Sequence, residues 1–375
     1  MIFEQGPIRP PSEAASLLIR VTRNCPWNQC YFCVTYRGEK FSRRPVSEIK
    51  QDILRIKEIS EEIRDLSARW GENGNITPKV AERLRTGYDQ QYLHVASWMY
   101  QGQKTIFLQD ANSLIMKTKE LLEVLKAIKK SFPTVERITT YARAKTARRK
   151  TLEELTDLCQ AGLNRVHVGM ESGSDNVLQI INKGASSEDM VNAGVKMEQA
   201  GISTCYYVLL GLGGKTYSRE HALETARVLN MVNPTHIRFR TLLVKPGTPL
   251  EDKVKNGSFA PLSEDEIIRE ERLLIDNLND IDSWLVSDHI LNLLEEVRGN
   301  LSENKKLLLK VIDRYLGMPD NERVNFRLGR RAGVYRYLDD MKDRQRYEHV
   351  AKGVRHLESE GALEETIDYL RQKFL

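Results

Sequence analysis

Two hydrophobic periods alternate along the chain. Residues 17–23 (LLIRVTR) form an apolar run of strand length that leads straight into a cysteine-bearing loop. Apolar residues then recur at 46, 49, 53, 56, 59 and 63, the spacing of one face of a helix. Residues 60 to about 100 are polar and carry the breakers Gly71, Gly74 and Pro78, which predicts an insert with one or two short helices. A strand at 105–108 follows and ends in QDANS. From there helix and strand alternate regularly: 117–130 then 137–141, 151–161 then 165–169, 187–200 then 203–210, and 219–232 then 236–244. Strands separated by helices of ten to fifteen residues imply βα units and a parallel sheet. Gly162 and Gly201 stand where left-handed helix caps belong. Six such strands are too few for a closed eight-stranded barrel and predict an α/β fold of partial (βα)6 TIM-type barrel form. After the turn at 246–249 (PGTP) the strand pattern fades, and from Ser263 the chain reads as helical and charged. The expected organisation is a barrel at 1–260, with the insert at about 60–100, and a helical C-terminal domain at 261–375.

Composition narrows the class. The chain has 375 residues, 41% hydrophobic and 29% charged, as in an ordinary globular protein. No run approaches the ~18 apolar residues of a membrane span, and the first residues lack a signal-peptide pattern, so the expected location is cytoplasmic. The net charge of +5 permits a phosphate-bearing or nucleic-acid partner without requiring one.

The chemistry sits in residues 23–33, RNCPWNQCYFC, where Cys25, Cys30 and Cys33 are spaced C-x4-C-x2-C. Two cysteines would suggest a redox pair and four a closed zinc site. Three leave one metal position without a protein ligand. A zinc site would need a fourth Cys or His nearby, and His94 lies far along in the insert. A nucleophile needs no thiol neighbours. Three thiolates suit three irons of a four-iron, four-sulfur cluster with the fourth iron open. Cys159 and Cys205 are isolated and read as free, buried thiols.

A strand, a three-cysteine loop with an aromatic residue before the last cysteine (Phe32), and six βα units together resemble the radical S-adenosylmethionine superfamily over about residues 15–250. The sequence GMESGSDNVLQIINKG at 169–184 is similar to the group that contains methylthiotransferases and oxygen-independent coproporphyrinogen oxidases. The loop has one residue more than the usual C-x3-C-x2-C, within residues 26–29. The resemblance implies an enzyme in which the open iron of a 4Fe-4S cluster on Cys25, Cys30 and Cys33 binds S-adenosylmethionine. It implies reductive cleavage to a 5′-deoxyadenosyl radical that takes hydrogen from a substrate, fed by a low-potential flavodoxin- or ferredoxin-type donor. Residues at the strand ends fall where the cofactor would be held: Phe32, Asp110 and Asn112 in QDANS, Arg143 after strand three, Glu171 and Ser172 after strand four, and Gly211 after strand five. QDANS replaces the glycine-rich segment usual at that place.

The C-terminal stretch from Arg323 to Arg346 has eight basic against three acidic residues, interleaved with Phe326, Tyr335 and Tyr337. Its alternatives are solvated helices or a surface for phosphates, carboxylates or bases. Arg327, Arg330 and Arg331 are the first candidates for an anionic substrate group. The leading expectation is a small anionic substrate. The others are modification of an RNA base or protein side chain, and a non-catalytic iron-sulfur scaffold.

Overall fold

The computed structural model describes residues 3–373. The first predicted strand divides at Val21 into β1 (Leu17–Arg20) and β2 (Thr22–Arg23), and β2 pairs antiparallel with β3 (Ser42–Arg43). The cysteine loop is thereby closed at its base by a two-stranded ladder. Helix α1 (Val46–Arg69) continues past the expected Ile63, and α2 (Pro78–Gly87) and α3 (Gln90–Tyr100) are the insert helices. The βα alternation then runs β4 (Thr105–Gln109), α4 (Thr118–Ser131), β5 (Arg137–Ala142), α5 (Ala144–Ala147), α6 (Leu152–Gln160), β6 (Leu163–Glu171), α7 (Asp175–Ile180), α8 (Ser187–Gln199), β7 (Ser203–Leu210), α9 (Gly214–Val232) and β8 (His236–Thr241). Gly162 and Gly201 take the positive φ their cap positions demand, 108° and 81°.

The region after Ser263 departs from the all-helical expectation. It contributes β9 (Trp284–Val286), parallel to β8, and β10 (Arg298–Asn300), antiparallel to β9. These strands have three residues each, too short for a hydrophobic period to announce them. Around them lie α10 (Pro249–Lys255), α11 (Glu264–Asp276), α12 (Leu301–Leu316), α13 (Asp320–Arg331), α14 (Arg344–Ser359) and α15 (Leu363–Gln372). The strand order is β1-β4-β5-β6-β7-β8-β9-β10, eight strands where six were expected. The extra two extend the mostly parallel α/β sheet at its β8 side. Among the described residues no helix is long and apolar enough to cross a membrane.

The chain forms two compact units. The first comprises residues 1–29, 33–169 and 192–204, and the second residues 30–32, 170–191 and 205–375. In the first, Leu17, Ile19, Ile106, Phe107, Leu108 and Ile138 are buried, a near-continuous apolar run on each strand because both faces are covered. Helix α1 buries Ile49, Ile53, Ile56, Ile59 and Ile63 along one stripe. Strand β1 is an edge, and the insert covers it: Leu18 N–H donates to His94 Nε2 at 3.2 Å. Burial, helped by the charge of Arg9, lowers the His94 pKa to about 4, so near neutrality its ring remains able to accept that bond. Gln91 exchanges two hydrogen bonds with the backbone of Phe3, and Trp98 Nε1 donates to Thr105 O at 2.8 Å. The insert is thus an edge cover.

In the second unit the neighbouring tyrosines of β7 part company, as strand alternation requires. Tyr206 O–H donates to Met190 O of α8 at 2.7 Å, and Tyr207 lies on the opposite face, beneath Arg240.

Candidate functional site

Cys25, Cys30 and Cys33 are half-buried and form no disulfide. The segments flanking them are tied down by one carboxylate. Asp110, fully buried at the end of β4, accepts from Arg20 Nε at 2.8 Å, from Asn24 N–H at 3.0 Å and from Tyr36 O–H at 2.7 Å. A second guanidinium nitrogen, Arg20 Nη2, lies 2.6 Å from the same Asp110 oxygen. Asn24 directly precedes Cys25 and Tyr36 lies three residues beyond Cys33, so Asp110 fixes both ends of the cysteine segment. Burial first, and then the Asp110 charge, push the Tyr36 pKa far up, so Tyr36 stays a donor. The loop itself closes with Asn28 N–H on Cys25 Sγ at 3.4 Å and Asn24 Nδ2 on Lys40 O at 2.8 Å. Asn24 and Asn28 have φ of 67° and 47°, a region asparagine enters more readily than most residues. Glu4 clamps the base of the loop through Arg20 and Arg23 at 3.0 and 2.6 Å.

Asn112 and Arg143 belong to the same unit. Asn112 donates to Thr146 Oγ1 at 2.8 Å and accepts from Arg143 N–H at 3.1 Å, which joins the QDANS turn to α5. The Arg143 guanidinium lies 5.1 Å from the ring of Trp27, inside the cysteine loop.

The second unit, taken by itself, contains the middle of the cysteine loop and the turns after β6 and β7. Tyr31 N–H donates to Ile181 O at 2.9 Å, and Leu250 N–H donates to Tyr31 O at 3.2 Å. Tyr31 and Phe32 pack against a buried cluster of Val177, Ile181, Leu209, Leu212, Leu242, Leu250 and Phe259. The turn after β6 is held from behind. Ser172 Oγ and His221 Nδ1 are 2.8 Å apart, and His221 Nε2 lies 3.7 Å from Glu270. Glu270 in turn accepts from Gly211 N–H and Ser218 O–H, both at 2.6 Å. Burial depresses the His221 pKa despite Glu270 beside it. One buried relay therefore positions both the Ser172 turn and the Gly211 turn. Gly173 permits the close approach of α9, since a Cβ there would stand 2.3 Å from Glu224 O. Glu171 is half-buried and accepts from Lys183 Nζ at 2.9 Å.

Several of the expected site residues take places that the sequence did not reveal. Asp110 is saturated by its donors and Asn112 is engaged on both sides, so both act as supports for the loops. The arginines expected at a substrate are committed elsewhere. Arg331 is 2% exposed and donates to the buried Glu264 through Nε at 2.8 Å and to Leu291 O at 2.9 Å. Arg327 lies between Glu264 at 3.1 Å and Glu364 at 2.5 Å, and Arg330 lies 3.4 Å from Glu295. Burial would raise the Glu264 pKa, but Arg331, Arg371 and Arg327 hold it below its ordinary value. These arginines tie α13 to α11, α15 and the residues after β9. Lys183 could have been suspected from its place in GMESGSDNVLQIINKG. Glu270 and His221 reach the site from distant helices and carry no local signal.

Comparison with known proteins places this arrangement. Residues 82–226 match the model of the Radical SAM superfamily. The chain therefore carries a radical SAM domain, of an enzyme class that works with a 4Fe-4S cluster and S-adenosylmethionine. The match begins after the cysteine loop. The chain is 29% identical over 103 residues to an uncharacterised protein of Methanocaldococcus jannaschii, covering 28% of this chain and 31% of that one. It is 26% identical over 117 residues to a tRNA uridine(34) acetyltransferase of Methanocaldococcus infernus, covering 31% and 22%. It is also 26% identical over 146 residues to a heme chaperone of Buchnera aphidicola, covering 38% of each. The chain thus spans well under half the length of the curated relatives it matches. Among solved structures, coproporphyrinogen III oxidase of Escherichia coli is similar at 15% identity and a TM-score of 0.46, over 70% of this chain and 52% of that one.

Among the described residues no three His, Cys, Asp or Glu side chains are gathered into a ready metal site. The fit of a cluster rests on the donor set: three cysteines outside any disulfide on one braced loop, in a chain with a radical SAM domain.

Proposed function

We propose that Cys25, Cys30 and Cys33 hold a 4Fe-4S cluster whose open iron takes S-adenosylmethionine, and that the protein abstracts hydrogen from a small anionic substrate. The observation that carries the cluster reading is the bracing of a three-thiol loop by a buried carboxylate, in a chain that also carries such a domain. A cluster held by these three cysteines and reduced by a flavodoxin- or ferredoxin-type donor would supply the electron for reductive cleavage of S-adenosylmethionine. The protein's own part is positional. Asp110 keeps the ends of the cysteine segment in place, so the thiols do not have to be ordered at the moment of loading. Tyr31 and Phe32 seat the middle of the loop on apolar side chains, which keeps water from that side. Arg143, stacked on Trp27, brings a fixed positive charge to the loop, suited to the carboxylate of the cofactor's methionine. Within the second unit, Glu171, Ser172 and Gly211 stand on turns fixed by Lys183, His221 and Glu270. Arg327, Arg330 and Arg331 are engaged in structure, so these three support neither an anionic substrate group nor a docking surface for RNA.

Anaerobic reconstitution tests this reading. The expected result is about four irons per chain, lost on Cys→Ala replacement at 25, 30 or 33 and retained at 159 or 205. Dithionite and S-adenosylmethionine should then yield 5′-deoxyadenosine. A fully loaded protein that never cleaves S-adenosylmethionine would leave the scaffold reading in its place.

A further inference from the structure

The arginines of α13 each have a carboxylate nearby, Arg323 on Asp265, Arg327 and Arg331 on Glu264 and Arg330 on Glu295. Arg240, the penultimate residue of β8, forms no ion pair among the described residues. Its guanidinium lies 4.8 Å from the ring of Tyr207, which is 5% exposed. A half-buried guanidinium without a counter-charge is costly unless something supplies one.

Register and alternation specify the surroundings. On β8, Ile237, Phe239 and Thr241 are buried, while His236, Arg238 and Arg240 are half-buried on the other face. Across the ladder, Tyr207 is the Cα partner of Arg238, and Leu209 that of Arg240. Leu209 belongs to the buried cluster on which Phe32 of the cysteine loop packs. Arg240 is therefore one strand away from the seat of that loop. Arg238 is already neutralised by Asp288 at 3.1 Å. Next in sequence to Asp288 is His289, whose Nδ1 is buried without a hydrogen-bond partner among the described residues. Burial lowers the His289 pKa to about 4, and the charges of Arg240 and Arg331 add to the fall, so the imidazole is neutral at ordinary pH.

We propose that Arg240, on its Tyr207 platform, is the subsite for an oxyanion of the substrate, a carboxylate or a phosphate. The guanidinium fork supplies the charge and two parallel donors. The planar stack on Tyr207 fixes the fork, so less side-chain entropy is lost on binding. This rests on the proposed function for calling the ligand a substrate, but the anion site itself can be tested without cluster or turnover.

The test titrates inorganic phosphate in one arm and glutarate in the other into the full chain at constant ionic strength. The His289 ring resonance is followed by NMR, assigned with His289→Gln. The wild type is expected to show a saturable shift with one of the two anions, which identifies the oxyanion. Arg240→Gln should weaken that binding about ten-fold or more. Arg346→Gln, exposed on a C-terminal helix, should leave it unchanged and so controls for net charge. Equal binding by wild type and Arg240→Gln, or no saturable shift in either arm, overturns the subsite. If Arg240→Gln keeps its iron but loses S-adenosylmethionine binding, the arginine belongs to the cofactor and the substrate assignment fails. Absence of S-adenosylmethionine cleavage with anion binding intact would instead refute the proposed reaction.

Discussion

Replacing Asp110 with Asn should damage the cysteine loop without touching a cysteine. The carboxylate is fully buried and takes two guanidinium contacts from Arg20 at 2.6 and 2.8 Å, with Asn24 N–H and Tyr36 O–H besides. Removing one partner of a buried charged pair costs about 3–5 kcal/mol. Arg20 would retain Glu4 at 3.0 Å, so its charge is not orphaned and the lower end, about 3 kcal/mol, is expected. Urea unfolding followed by circular dichroism, at unchanged m, measures the loss. The same preparation, reconstituted anaerobically, should hold markedly less iron, because both ends of the cysteine segment have lost their common anchor. A variant within about 1 kcal/mol of wild type and with full iron content would refute the bracing argument. Loss of stability with full iron would separate the two roles and leave Asp110 a core residue only.

The C-terminal network gives a second outcome: Arg331→Ala, at a side chain 1% exposed on Glu264, should lower stability by about 3–5 kcal/mol, whereas Arg336→Ala, 60% exposed on Glu295, should change it by less than about 1 kcal/mol. Equal urea midpoints for the two would undo the distinction between paired core and surface arginines. A third concerns pH. Burial raises the pKa of Glu271 to about 8, with Ser287 at 3.5 Å opposing and Glu270 adding to the rise. A raised folded-state value means that the folded protein keeps a proton the unfolded chain has released. The contribution is fully present below the ordinary carboxylate range and is lost as pH rises through about 8. Urea unfolding at pH 5 and pH 8.5 should show this decline in the wild type and a flatter profile in Glu271→Gln; identical slopes would count against it.

Much of this protein is legible in one dimension. The βα alternation from 105 to 241 follows from hydrophobic period, and the caps at Gly162 and Gly201 from the one residue that adopts positive φ without cost. The three thiols are legible because ligand spacing within nine residues is a local property of the chain. What tertiary structure alone decided is which polar groups meet. Asp110 reads as a cofactor contact at a strand end, but its oxygens are taken by Arg20, Asn24 and Tyr36, which lie 74 to 90 positions away. Arg327, Arg330 and Arg331 read as a basic patch, but Glu264, Glu295 and Glu364 neutralise them from other elements. Arg240 reads as one more strand residue, and what sets it apart is half-burial over Tyr207 with no ion pair among the described residues. A hydrophobic period is imposed by neighbours in sequence. The fate of a charge is imposed by neighbours in space, because burial makes an unpaired ion costly and the partner that relieves it can come from anywhere in the chain.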